Sequence, residues 1–442
     1  MIEGVLPWPA LVDAPPASFD ALSKLISSRG LKFAELWFTD LEGRPWRIMM
    51  PTDAVSEALF VEGLPLDGQP IGGSWDGVMR LLPRLDAAYV DSTASVASLV
   101  MFCDILEPGG VEPLALEPRH VLARAVDLAE KRFDGRIVVG VEPEFILLEA
   151  DGRPAAENVV WDFLSRLALS LGDAGIRVDW FRSGPASGQG RAQMRAGPPL
   201  QMADRVMLYR HLAAGLARER GLTASFLPRP LAGGGTPGMP VHAAVWRRGE
   251  NLFHDELGWA LTSALCRSFA AGVLAHLPAL TALCAPTTNS YRRLIPGHSG
   301  PVNPVLSTVD RSAACRIPSR TAAPGARRVK FCLPDSTANP YLALAAVILA
   351  GLDGVERGLE PSIDGERTAG AAVPPCLEAA LESLAADRAF LTSGAFSDRL
   401  IDSWIMDRWT RHVLPVRLRP HPWEQAQTEQ FGSARGVEDA PP

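Results

Sequence analysis

Apolar positions along this chain follow two periods, and the changes from one to the other mark its elements. Residues 33–40 and 44–50 are short apolar runs separated by Leu41, Glu42 and Gly43, a hairpin pattern. A further strand is predicted near 98–104. Between them lies the glycine-rich run Leu66-Asp67-Gly68-Gln69-Pro70-Ile71-Gly72-Gly73, and residues 107–118, with their prolines and glycines, read as a linker. Beyond it, amphipathic spacing predicts helices over about 118–131 and 198–220. Residues 136–148 read instead as one strand, with Val141, Phe145 and Leu147 on one face and Glu142, Glu144, Ile146 and Leu148 on the other. Asn339 and Pro340 supply an N-cap and a first-turn proline for a helix running to about 353. Residues 375–430 read as more helices. The apolar stretch 260–283 is interrupted by Arg267, Ser268 and His276, so it predicts a buried helix rather than a membrane span, with His276 a core residue.

A chain of 442 residues accommodates two or three domains. The expected units are 18–110 and 116–430, followed by a disordered tail, 431–442. Composition is that of an ordinary globular protein, 47% apolar and 21% charged. The net charge of −7 offers no basic field, so neither nucleic acid nor an anionic membrane is an expected partner. Six cysteines without a Cys-x-x-Cys pair point to reduced thiols and a cytoplasmic protein. The opening Met-Ile-Glu-Gly-Val-Leu-Pro-Trp-Pro lacks a basic region followed by an apolar one, so no signal peptide is expected.

Three ordered segments carry more information. They are Ala-Pro-Thr-Thr-Asn-Ser-Tyr-Arg-Arg-Leu (285–294), Asp-Arg-Ser-Ala-Ala-Cys-Arg-Ile-Pro (310–318) and Pro-Asp-Ser-Thr-Ala-Asn-Pro-Tyr-Leu (334–342). With the loop opening at Asp67, the pair Gly188-Gln189, and the segments Phe226–Pro230 and Gly238–His242, they resemble the glutamine synthetase superfamily, including its type I and γ-glutamylpolyamine synthetase-like members. The resemblance runs from about 33 to 424. It implies an α+β fold: an N-terminal β-grasp domain and a catalytic domain whose curved antiparallel sheet is backed by helices. It also implies ring-shaped homo-oligomers, commonly dodecamers, with active sites between subunits. Asp67 would then reach a neighbour's site and help position ammonium.

Glu142 and Glu144 stand two residues apart, roughly 7 Å along a strand. In the resembled family such a pair contributes one ligand to each of two divalent ions. The family's remaining ligands fall here on Ser183, Arg191, Pro240 and Lys330. Hard cations need several oxygen ligands, so no metal site and neither Mg²⁺ nor Mn²⁺ is expected, with ATP left open. Arg191 and Lys330 balance the two glutamates, and Lys330 is expected to pair with one of them. The flap base falls on Ser299, the substrate-binding Asn-Gly on Gly235-Thr236, and the arginine near the transferred phosphoryl group on Cys332. Resemblance assigns the substrate carboxylate to Arg293, phosphate neighbours to Arg311, Arg316 and Arg328, and a site role to His242. With Arg191 these form an anion-binding set, because a guanidinium fork matches carboxylate or phosphate. Cys332 beside cations could act as a nucleophile, and His298 could replace the flap base.

The expected function is therefore a repurposed, metal-independent enzyme for a small carboxylate, amino-acid-derived or pre-activated acyl substrate. It would carry out amide or acyl transfer, or acid–base chemistry, with Glu142, Glu144, Lys330, Asp67 and Cys332. Two alternatives stand beside it: an ATP-dependent γ-glutamyl–amine ligase with relocated ligands, and an inactive pseudoenzyme that binds a ligand or serves a structural role.

Overall fold

Strands β1 (Phe33–Thr39) and β2 (Pro45–Pro51) form the expected hairpin, in register from Phe33 opposite Pro51 to Thr39 opposite Pro45. The structure is a computed structural model describing residues 16–67, 78–93, 95–110, 112–296, 300–318, 323–361, 363 and 372–429. The tail 431–442, the loop 68–73, His298 and Ser299 lie outside these residues. Strands β3 (Leu64–Asp67), β4 (Val78–Asp91) and β5 (Ser98–Leu106) complete a sheet in the order β2-β1-β5-β4-β3. Only β1 and β5 run parallel in it. Helix Phe19–Arg29, capped by the Ser18 hydroxyl, buries Leu22 in a core with Leu36, Met101 and Ile105. A mixed sheet with one covering helix is the β-grasp arrangement. Trp37 and Phe102 point the other way, into the main core.

The hairpin turn docks on the catalytic half. Asn339 donates to the carbonyls of Asp40 and Leu41 at 3.2 and 3.1 Å, and Arg408 meets Glu42 at 2.8 Å. The Asn339 side-chain oxygen also caps helix Pro340–Glu356, accepting from the amides of Tyr341 and Leu342. That helix is apolar nearly all round because neighbours cover it on every side.

The catalytic half departs from the predicted strand at 136–148. Two strands replace it: β6 (Arg136–Val141) and β7 (Glu144–Leu148), which belong to different sheets. Pro143 has no N–H to continue a ladder, and the chain changes sheet at Glu142-Pro143. With β8 (Val178–Ser183), β9 (Gln189–Met194) and β10 (Thr223–Ser225), β7 forms an antiparallel sheet in the order β10-β7-β9-β8. The larger sheet contains β11 (Val241–Arg247), β12 (Glu250–Asn251), β13 (Asn303–Ser307), β14 (Ala313–Arg316) and β15 (Val329–Phe331). Its order is β12-β11-β15-β14-β13, with β6 also on β11, and only β13–β14 is parallel. Helices Pro118–Phe133, Pro199–Glu219 and Pro340–Glu356 pack together behind these strands.

The apolar stretch 260–283 also differs from expectation. It forms two helices, Ala264–Ala275 and Leu277–Cys284, bent by 76°. No single helix among the described residues is long and apolar enough to cross a membrane. His276 sits at the bend, and it is more than a core residue. Its Nδ1 lies 2.8 Å from Asp387 and its Nε2 2.8 Å from Asp353, with the ring stacked on Phe390. Both ring nitrogens thus face carboxylates, which calls for imidazolium. Burial works against the charge, but Asp387 and Asp353 outweigh it and raise the pKa above its ordinary 6.5. Arg357 shares the Asp353 carboxylate at 2.9 Å.

The raised pKa gives this clamp a defined pH dependence. Its stabilisation is fully present below pH 6.5 and is lost as pH rises through the folded value. His276→Ala should lower unfolding free energy by about 1–3 kcal/mol at pH 6, measured by urea denaturation. The gap from wild type should narrow at pH 9.

Candidate active site

Both glutamates hang from the same neighbouring segment. The Glu142 amide donates to Pro240 O at 2.9 Å and the Glu144 amide to Gly238 O at 3.0 Å. Although the strand breaks between them, their side chains meet in one buried cluster, each residue only 3% exposed. Opposite stands a row of polar residues across three strands: His242 on β11 pairs with Lys330 on β15, which pairs with Arg316 on β14. Paired residues on adjacent strands share a face, so the row is a direct product of register.

Lys330 Nζ donates to both Glu142 oxygens at 2.7 and 2.8 Å, which is the pairing the sequence suggested. His242 Nε2 lies 2.6 Å from Glu142 Oε1, and Arg328 Nε lies 3.0 Å from His242 Nδ1. Arginine can only donate, so Nδ1 accepts and the hydrogen sits on Nε2, where it serves Glu142. Burial pushes the His242 pKa down to about 4, against the pull of Glu142. The ring is therefore neutral near pH 7. Burial would raise the Glu142 pKa, yet Lys330, His242 and Arg191 hold it well below the ordinary carboxylate range. Glu142 is ionised.

Glu144 is saturated in a different way. Its Oε1 meets Arg191, its register partner on β9, while Oε2 accepts from Gln189 Nε2 at 2.8 Å and from the Gly238 amide at 3.2 Å. Arg191 also comes within 3.7 Å of Glu142, linking the two acids. In the sequence Gln189 marked only a turn after Gly188; nothing in its type indicated a direct contact with Glu144.

Arg293 stands beside Gly238, next to the cluster. It is 6% exposed, and its fork donates to the carbonyls of Leu333 and Cys332 at 2.7 and 3.0 Å. Those bonds tie the guanidinium to the carbonyls that follow β15. A Cβ at Gly238 would stand 2.5 Å from Arg293 Nη2, so only glycine lets that arginine pass. Cys332 differs from expectation: it is buried, and burial raises its pKa despite Lys330 and Arg316 nearby. A thiol held neutral is not the activated nucleophile anticipated. Arg316 is half-buried in the row, whereas Arg311 is exposed on the turn after β13. Asp67 ends β3, and its side chain lies outside those described.

The glutamine synthetase catalytic-domain model matches residues 152–428. Glutamine synthetase of Mycolicibacterium smegmatis is 31% identical, over 92% of this chain and 97% of that protein. The Frankia alni enzyme is 33% identical, over 91% and 97%. Among solved structures, one described as apo GmaS without ligand has a TM-score of 0.81 at 25% identity, covering 92% of this chain and 99% of that one. A novel glutamine synthase homolog has a TM-score of 0.79 at 28% identity, covering 90% and 98%.

Matches of this extent correct the expectation that neither Mg²⁺ nor Mn²⁺ is used. Glutamine synthetases normally work with ATP and one of these ions, and counting substituted ligands does not outweigh kinship along nine-tenths of the chain. The geometry makes a narrower statement. In this arrangement the acid pair does not fit an ion: Lys330 covers both oxygens of Glu142, while Arg191, Gln189 and Gly238 cover those of Glu144. Among the described residues no group of three or more His, Cys, Asp or Glu side chains is placed to hold a metal.

Lys330→Met strands Glu142 in a low-dielectric site, and breaking such a pair costs about 3–5 kcal/mol. Urea denaturation should show that loss, with partial recovery in Glu142→Gln/Lys330→Met. Lysine and ion compete for the same oxygens, so Mn²⁺ should raise the Tm of Lys330→Met more than that of wild type. With the family model spanning more than half of the sequence and relatives matching nearly all of it, the chain belongs to the glutamine synthetase family.

Proposed function

We propose that this protein is an amide-forming ligase of its family that joins an amine to a small carboxylate substrate, and that the pair is not glutamate and ammonia. The observation carrying this reading is the paired state of the acid cluster. Lys330 and Arg191 pair with Glu142 and Glu144, His242 is neutral, and Arg328 and Arg316 bring two guanidinium groups to the same row. Guanidinium forks beside a neutral imidazole suit an anionic substrate group.

When bound, ATP supplies the phosphoryl group that turns a carboxylate oxygen into a leaving group. Arg316 and Arg328 take the anionic groups, with Arg311 at the rim. Lys330, oriented by Glu142, stabilises negative charge developing at the acyl oxygen. The amine nitrogen forms the C–N bond, the C–O electron pair leaves with phosphate, and the proton shed by nitrogen leaves on that phosphate. Glu142, with its pKa held low, is a poor proton acceptor and acts by orienting Lys330. The family likeness also supports a ring-shaped homo-oligomer in the cytoplasm, built from units 18–110 and 116–430, in which Asp67 reaches a neighbour's site.

The test is ADP release by the full chain with ATP and Mg²⁺ or Mn²⁺, across a panel of amino dicarboxylates and amines. ADP release should require both substrates, and the best pair should exceed glutamate plus ammonia by at least about tenfold, about 1.4 kcal/mol in the barrier. Fastest turnover with glutamate and ammonia would contradict the reading. Ligand-dependent thermal stabilisation without any ADP release would make the protein a binding module on this fold.

A further inference from the structure

Beside the acid cluster lies a cavity of about 450 Å³, bounded by Ile146, Pro154, Ala186, Pro230, Leu231 and the loop ending at Gly235. Ile146 follows Glu144 by two residues on β7, so it continues the same strand face. Gly235 forms the wall between the cavity and the cluster. A Cβ there would stand 2.7 Å from Ala186 Cβ, and 3.2 Å from both Ile146 Cδ1 and Gln189 Oε1. The other end of that Gln189 amide is bonded to Glu144. A glycine and one amide thus separate the cavity from the acids.

The lining is poor in charge. Among the described residues that line it the one charged side chain, Arg153, is 77% exposed and turned to Asp151 at 2.6 Å. Apart from the exposed Arg153–Asp151 pair, no charged side chain among the described residues lines the cavity. An alkyl or aryl group therefore gains contact with Ile146, Pro154 and Leu231, where a second ammonium gains no ion pair. The volume lies within the range of small-molecule sites, roughly 300–1,000 Å³, far above the ~30 Å³ share of one water. Ammonia would leave it unused. The row of neutral His242 with the cations Lys330 and Arg316 belongs to the neighbouring sheet and suits the carboxylate substrate.

We infer that this cavity receives the uncharged, apolar substituent of the amine, making the enzyme selective for monoamines that carry an alkyl or aryl group. This rests on the ligase reading above and extends it to the class of amine.

The experiment uses the full chain with ATP, Mg²⁺ and a carboxylate from the panel above, and compares methylamine, butylamine, hexylamine, benzylamine and putrescine. The kcat/KM should rise about fourfold per methylene buried, the equivalent of ~0.8 kcal/mol each. Putrescine should fall at least about tenfold below butylamine, because its second ammonium enters an unpaired site. Ala186→Trp fills the cavity and should reduce the hexylamine-to-methylamine ratio to below about twofold. Leu231→Phe, a milder filling, should reduce it in part and serves if the tryptophan variant does not fold. Hexylamine should also raise the melting temperature of wild type more than putrescine does. Turnover with a flat chain-length series, or with putrescine preferred, overturns the cavity assignment and leaves the ligase reading standing. No ADP release with any amine, with hexylamine stabilisation retained, overturns the ligase reading and leaves the cavity standing. Absence of both overturns both.

Discussion

Two carboxylates buried a residue apart must each be paired, or they will not stay ionised. That requirement organises the centre of this protein. Glu142 takes Lys330 from β15 and His242 from β11, and Glu144 takes Arg191 and Gln189 from β9. The change of sheet at Pro143 makes this possible. A continuous strand would keep both acids in one ladder, whereas the break lets β6 lie against β11 and β7 against β9. One acid is thereby presented to each sheet.

The pairing also determines the character of the pocket. A neutral imidazole held between Arg328 and Glu142 transmits orientation without adding charge. Arg293 ties the carbonyls following β15 beneath the cluster, and Gly238 leaves the space for it. Cations therefore surround the acids, and apolar and glycine residues lie past Gln189. The asymmetry is chemical as well as spatial: one flank suits an anion and the other an uncharged group.

Much of this architecture was legible in the sequence. The motif series indicated the family, the hairpin at 33–51 followed from apolar spacing, and Asn339-Pro340 announced its helix. The Lys330–Glu142 pair was legible through resemblance, although the two lie 188 positions apart and no local pattern connects them. Other features were hidden because they arise only in three dimensions. Alternation at 136–148 looks the same whether one sheet or two receives it, and Pro143 alone indicated the break. His276 read as core because the carboxylates that face it come from residues 77 and 111 positions away. The role expected of Cys332 followed from the cations beside it in the strand, whereas burial determines the state of its thiol here. The cofactor expectation failed for a related reason: ligand counting treated each substituted position separately, while kinship weighs the whole chain.

The protonation state of His242 tests the paired cluster most directly. In ¹⁵N-histidine NMR of the full chain at pH 6, with the signal assigned through His242→Asn, the ring should be neutral and carry its hydrogen on Nε2. It should titrate only near pH 4. An imidazolium signal at pH 6, titrating at or above the ordinary value near 6.5, would contradict the arrangement of Arg328, His242, Glu142 and Lys330 on which the account depends.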